Sequence, residues 1–397
     1  MGSPTIETIS RLLMLCGCLL SLASVAYHQY TIVVHKFHLQ KEQNFVLPKE
    51  LERLNTKPRN PDGRAGRDVL YELDAITRGT EYERDRQNCR APKKFYHNRI
   101  VRSEKRNEKL IPKIIHVGYR ERCLPQDLYP FLQRWEERFP EYSIFLHDKE
   151  ATERLFRRQA YPEFPDFHKM LKCVFFDGAM TSDIWRVLLL WLYGGISTDI
   201  DVYPEDPFGD SVIPHNVSGF YFSQQRNWVT HWFQAIEPRH RMMFDCMRTI
   251  IHNIYHEVDV TNPHPFQSTG PWVIRDSFLN FVTENDAAVK KKLKYRKPAN
   301  FAGRDHRTIM KVNYNSPENK YVTHKKGYTK LVSHPFNKTA EKIPREVRID
   351  LEAGFVHWHK SIERRKEELQ RRETVRSCEE YLKAIEEDPS LEVPKMY

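Results

Sequence analysis

The chain has 397 residues, with 63 Lys and Arg against 53 Asp and Glu and a formal net charge of +10. This length fits one large domain with attachments, and 40% hydrophobic residues supply a core, which excludes a wholly disordered chain. The basic excess suits phosphate-bearing ligands, acidic glycans or an anionic membrane surface. It is scattered and accompanies no nucleic-acid module, so no nucleic acid is expected as a partner.

After a short tail over residues 1–11, residues 12–34 form the only long apolar stretch. It approaches the roughly 20 residues needed to cross a bilayer by including His28 and Gln29. The expectation is a transmembrane signal anchor. The alternative is a cleaved signal peptide, with Arg11 as the basic flank and Ser24-Val25-Ala26 as the cleavage site. Either delivers the rest to the secretory lumen, and the retained anchor would make the chain single-pass type II with the remainder lumenal. Five cysteines follow the apolar run, an odd number that leaves at least one unpaired and allows one or two disulfides. The triplets Asn216-Val217-Ser218 and Asn337-Lys338-Thr339 are glycosylation acceptors compatible with that compartment.

Residues 35–109 are polar and charged with scattered prolines, which predicts a stem. A local subdomain packing around Tyr82, Phe95 and Tyr96 is the alternative. From Ile111 onward short apolar runs alternate with helical patterns, the mark of an α/β domain over residues 110–362. Strands are predicted over Ile111–Val117, Tyr142–Leu146 and Gly354–Trp358. Helices are predicted over Leu128–Phe139, Thr181–Tyr193, Met242–Tyr255 and Pro271–Phe281. Residues 363–397 read as a charged, solvated helical tail.

Asp199 and Asp201 flank Ile200 at the end of a short apolar strand that follows Gly194-Gly195. Two carboxylates at a strand edge can hold a hard divalent cation against a diphosphate, whereas an isolated acidic pair is more often a turn. Asp183 and Arg186, three apart, share one face of an otherwise apolar helix. A salt bridge would explain them. So would a site in which Asp183 accepts hydrogen bonds from sugar hydroxyls and the Arg186 fork meets a sugar or phosphate. His357 and His359 alternate onto one face of a strand, either as a surface pair or with one of them reaching a metal. His116 reads as a satisfied strand-end residue.

Taken together, Ser182-Asp183-x-x-Arg186 and Tyr193-Gly194-Gly195-Ile196-Ser197-Thr198-Asp199-Ile200-Asp201 resemble the core signature of glycosyltransferase family 32, which includes the fungal initiating α-1,6-mannosyltransferases. Ile111–His116, Trp232–His240, Thr269-Gly270-Pro271 and His357–Ser361 are similar to further family segments in the same order. Ser197 stands where the family usually has tyrosine, and Val117-Gly118-Tyr119 where it has Gln-x-Trp. The resemblance implies a GT-A fold, a Rossmann-like α/β sandwich with a mixed sheet. It also implies a Mn2+-dependent retaining transfer of a hexose, with GDP-mannose the favoured donor, to a glycan or glycolipid acceptor. Asp199 and Asp201 would then bind metal with His357 or His359, Asp199 would also reach the ribose, and Asp183 and Arg186 would orient the donor sugar. UDP-sugar-dependent transferases and a catalytically silent glycan-binding or scaffold protein are the alternatives on the same fold.

Overall fold

The computed structural model describes residues 63–79, 81–102, 109–126, 128–157, 161–174, 178–223, 229–257, 264–283, 301–302, 308–312, 322–324 and 377–388. The expected anchor over 12–34, the strand over Gly354–Trp358 and the pair His357 and His359 lie outside these residues. Among the described residues no helix is long and apolar enough to cross a membrane.

A seven-stranded mixed sheet carries the fold, in the order β4-β2-β5-β8-β7-β10-β9. Its strands are β2 (Ile114–Gly118), β4 (Ser143–His147), β5 (Gly195–Asp199), β7 (Gly219–Ser223), β8 (Val229–Ile236), β9 (Phe301–Ala302) and β10 (Thr308–Val312). β2, β4 and β5 are parallel, with β2 between the other two, and β8 runs antiparallel to β5. Parallel neighbours need helical crossovers, so both faces are covered. One face carries α3 (Tyr129–Arg138). Its Trp135 is fully buried, stacks on Phe233 at 10° between ring planes and donates from Nε1 to the Val202 carbonyl at 2.8 Å. Truncating such a side chain to alanine costs about 3–5 kcal/mol. The other face packs against α6 (Gly178–Tyr193), α7 (Arg241–His252) and α9 (Pro271–Thr283), where Tyr221 meets Met242 and Phe278.

The expected α/β domain with a mixed sheet is therefore present, and those predicted elements that fall among the described residues lie within a few residues of their observed ends. Two expectations are corrected. The charged stretch read as a stem folds onto the domain from residue 63. It forms α1 (Gly63–Arg78), α2 (Tyr82–Asn88) and β1 (Lys93–Phe95), the last paired with β3 (Cys123–Pro125). Leu73, Ile76, Tyr82, Phe95 and Tyr96 are buried, and Cys89 is disulfide-bonded to Cys123. Arg99 closes the free edge of β4 by exchanging backbone hydrogen bonds with Ile144 in both directions. α1 was hard to read because its apolar residues form a narrow stripe among charged ones. The tail is likewise not wholly solvated. α10 (Cys378–Glu387) opens on a capping box between Ser377 and Glu380 and buries Cys378, Tyr381 and Ile385, spaced three and four apart, on one face. Cys378 is bonded to Cys173, following α5 (Phe167–Lys172), and Cys246 remains a buried free thiol.

The topology also places a crevice. From β2 the chain crosses to β4 on one side and then returns past β2 to β5 on the other, so the order reverses between β2 and β5. In open α/β sheets ligands bind outside the carboxyl ends of strands at such a point. Here those ends are Gly118 and Asp199, which are paired in register.

Candidate functional site

α6 is built from a run of fully buried apolar residues, including Ile184 and Val187 to Leu190, and its helix ends where Gly194 takes a φ of +63° and Gly195 of +94°. Glycine is required at both positions. A Cβ on Gly194 would stand 2.6 Å from the Pro238 nitrogen, and one on Gly195 would stand 2.6 Å from the Ile114 carbonyl oxygen. The turn sends β5 back along the helix. From Arg186 to Tyr193 the helix rises about 10 Å, and from Gly195 to Asp199 the strand covers about 13 Å. Arg186 and Asp199 therefore finish level with each other at the crevice.

The side chains meet as this predicts. Arg186 Nη2 donates to Asp199 Oδ1 in a short contact, and Nη1 lies 3.8 Å from Asp183 Oδ1 on the same helix. Asp183 Oδ2 also accepts from the Thr269 hydroxyl at 2.8 Å, where α8 (Pro265–Ser268) ends ahead of α9. A Cβ on Gly270 would lie 3.0 Å from the same carboxylate oxygen, so the absence of a side chain there lets the 269–270 turn close over Asp183. Burial falls outward through the group: the side-chain exposures of Arg186, Asp183 and Asp199 are 5%, 13% and 33%. The cation is thus innermost, fastened to the carboxylate that faces the crevice. Asp201 lies two residues on in the turn to β6 (Val202–Pro204) and is itself buried, while Ile200 between them packs with Leu128 and Phe131.

A further side chain belongs to this group. His231 on β8 places Nδ1 2.8 Å from Arg186 Nη1 and 3.3 Å from Asp183 Oδ1. Burial, reinforced by the neighbouring Arg186 charge, holds its pKa well below the usual imidazole value, so the ring is neutral. Sequence reasoning passed over it. The pairing of β7 with β8 jumps from Tyr221↔Gln234 to Ser223↔Val229, leaving extra residues on β8. Trp232 and Phe233 consequently both pack on the same core cluster, and strict alternation no longer tells which way His231 points.

His116 is a satisfied core residue, as expected. Its Nε2 donates to the Gly194 carbonyl at 3.0 Å, bracing the glycine turn, and its Nδ1 accepts from His147 at 3.2 Å. Burial lowers the His116 pKa to about 4. His240 caps α7 by accepting from the Met242 amide. Of the six expected site residues, the structure brings Asp183, Arg186 and Asp199 into contact and puts Asp201 in the adjoining turn. Among the described residues no cluster of three or more His, Cys, Asp or Glu side chains is assembled to hold a metal ion.

Residues 125–219 match a family described as the glycosyltransferase sugar-binding region containing a DXD motif. That span includes Asp183, Arg186, Asp199 and Asp201 and stops short of His231 and Thr269. Over 86 residues the chain is 31% identical to the initiation-specific alpha-1,6-mannosyltransferase of Candida albicans, a stretch that covers 21% of this chain and 22% of that protein. The chain thus matches about a fifth of the length of this relative. Among solved structures it is similar to the PaToxG glycosyltransferase at a TM-score of 0.35 and 14% identity, over 59% of this chain and 83% of that one.

Proposed function

We propose that this chain is a metal-dependent glycosyltransferase that moves a hexose from a nucleotide sugar to a hydroxyl of a glycan or glycolipid acceptor, with retention of anomeric configuration. GDP-mannose is the favoured donor. The observation that carries the reading is the Asp183–Arg186–Asp199 group at the carboxyl end of β5, where the strand order reverses, inside the segment that matches the sugar-binding region.

The donor set suits a hard cation. Asp199 and Asp201 offer carboxylate oxygens from one turn, the ligand chemistry by which Mg2+-like ions are held through one or two carboxylates plus substrate phosphates. Mn2+ bound there would offset charge on the nucleotide diphosphate as it leaves. Asp201 is proposed as a direct ligand, Asp199 as a ligand shared with the ribose, and His357 or His359 as the remaining protein ligand. Asp183 accepts hydrogen bonds from donor-sugar hydroxyls. Arg186 offers a permanently charged planar fork to the sugar or its phosphate, and its burial keeps water from screening that charge. No side chain is assigned as a covalent nucleophile, so the acceptor hydroxyl attacks on the face the nucleotide leaves, its proton passing to the departing phosphate.

Two disulfides, Cys89–Cys123 and Cys173–Cys378, support a lumenal setting, because such bonds persist in oxidising compartments. The proposed location is the Golgi membrane, with residues 12–34 as anchor. The function is tested by incubating purified protein and Mn2+ with GDP-mannose, UDP-galactose, UDP-glucose and UDP-N-acetylglucosamine and measuring nucleotide release. Turnover of GDP-mannose alone supports the whole reading, turnover of a UDP-sugar corrects the donor, and no turnover of any of them leaves a silent glycan-binding protein as the better description.

A further inference from the structure

We propose that Asn216 carries an N-linked oligosaccharide at the end of the sheet opposite the crevice, and that this glycan is added before the chain folds. The inference rests on the lumenal setting proposed above and is independent of the donor and the metal.

The fold holds Asn216 where a bulky polar group fits. It is exposed, as are Pro214 and His215 before it, in a turn closed by the Val217 amide donating to the Pro214 carbonyl at 3.4 Å. The turn is braced through main-chain carbonyls. That of His215 accepts from the Leu110 amide at 3.2 Å, and that of Ile213 accepts from Lys109 Nζ at 2.8 Å, so these holds do not consume the Asn216 amide. Gly219, three residues on, and Gly195 both face Ile236 in register, which places Asn216 by the amino ends of β7 and β5. Asp199 ends β5 about 13 Å away along the strand, and the two strands are about 10 Å apart across β8. An oligosaccharide on Asn216 therefore stands clear of the crevice.

The rest of the triplet is sealed. The modifying enzyme must engage both the asparagine amide and the hydroxyl two residues on. Val217 is 3% exposed and belongs to the apolar core, and Ser218 is 2% exposed, with Oγ 3.3 Å from His240 Nε2. The Ser218 carbonyl also accepts from the Glu237 amide at 2.8 Å. Reaching the hydroxyl would mean parting it from His240, which caps α7, and lifting Val217 out of the core. The native fold thus hides half of a signal that the newly made chain displays. In the step itself the Asn216 amide nitrogen forms a bond to the anomeric carbon of a lipid-diphosphate-linked oligosaccharide. The bond from that carbon to the diphosphate breaks, the lipid diphosphate leaves with the electron pair, and the amide gives up one proton to solvent.

The test uses the full chain with Asn337→Gln, so that a single triplet is read. In cells with a secretory pathway, peptide N-glycosidase should lower the apparent mass and convert Asn216 to Asp in the peptide mass spectrum, and Asn216→Gln should abolish both changes. An unmodified Asn216 in a chain shielded from added protease inside sealed vesicles overturns the modification and leaves the lumenal setting standing. A chain that the protease cuts overturns both. Unmodified full chain made in bacteria is then offered, in detergent, to oligosaccharyltransferase and its lipid-linked oligosaccharide, either folded or after unfolding and reduction. The unfolded chain should be modified about tenfold faster or more, because the folded one reacts only through local opening. Equal rates overturn the sealed triplet, and no reaction of either overturns the site. Asn216→Gln should keep the unfolding midpoint within about 2 °C of the unmodified chain, and a larger drop overturns its exposed placement.

Discussion

Replacing Arg186 separates the two jobs given to it. The side chain is 5% exposed and lies between a 13%-exposed and a 33%-exposed carboxylate, with the His231 ring against Nη1 besides. Arg186→Met removes the positive charge and leaves Asp183 buried with its compensating cation gone, which costs about 3–5 kcal/mol of stability. Arg186→Lys keeps the charge, yet one ammonium cannot replace the fork's separate contacts with Asp199 and His231. The loss is then one charge-assisted hydrogen bond, about 1.5–3 kcal/mol. Guanidinium-chloride unfolding of the two variants against wild type should give that order, with Arg186→Met the less stable. Turnover should fall in both, by about 100-fold or more in Arg186→Met. Arg186→Met with wild-type unfolding midpoint would refute the claim that this arginine neutralises a buried carboxylate, and Arg186→Lys with wild-type turnover would refute the need for a fork.

Asp201→Asn keeps the volume of the side chain and removes its charge. Nucleotide release should drop by about 100-fold or more, with the thermal midpoint within a few degrees of wild type, and near-normal turnover across a Mn2+ titration would sink the metal assignment. Deleting residues 1–58 should leave a soluble folded protein, whereas deleting 1–100 takes away Cys89, Tyr82, Phe95 and Tyr96 and should give aggregates on size-exclusion chromatography; equal behaviour of the two would return residues 63–102 to the stem. His116 titrates near 4 when folded against about 6.5 when unfolded. Its neutral form therefore costs nothing above pH 6.5, and as the pH falls from 6.5 towards 4 the unfolded chain takes up a proton that the native state refuses. This single residue should remove about 2 kcal/mol by pH 5, and identical denaturant midpoints at pH 7 and pH 5 would contradict it. Cys378→Ser opens a crosslink of 205 residues in sequence separation, worth up to about 5 kcal/mol through unfolded-state entropy, and proteolysis should then cut α10 first.

What was legible in the sequence is what local chemistry decides. A charged pair inside the apolar α6, two glycines and an acid-x-acid turn follow one another within a short segment, so their meeting depends only on helix rise, strand rise and one turn. β2 and β4 were readable as continuous apolar runs because both faces are covered. The contribution of His231 depends on a bulge whose extra residues cannot be counted without the partner strand. Thr269 was visible as part of a matching segment, but its hydrogen bond to Asp183 comes from the packing of α8 and α9 onto α6. The docking of α1, α2 and α10 rests on apolar side chains buried against partners that the local pattern does not reveal, and on disulfides between cysteines far apart in sequence. Lys and Arg carry long apolar stems, so charged amphipathic segments of this kind look solvated until their partner surface is known.

The bond between Cys173 and Cys378 has a mechanical consequence. Asp183, Arg186, Asp199, Asp201, His231 and Thr269 all lie between those two cysteines, inside one covalent ring. When the chain is pulled from its ends, tension passes from residue 173 to residue 378 through the sulfur atoms and bypasses everything between. The 205-residue separation corresponds to about 700 Å of extended chain that cannot be paid out under force while the bond is intact. An unfolding motor that threads the polypeptide from its amino end would strip α1 and α2, meet the short Cys89–Cys123 loop, and beyond it reach the far larger closed loop between Cys173 and Cys378. The site would stay inside that loop until a reductant opened it.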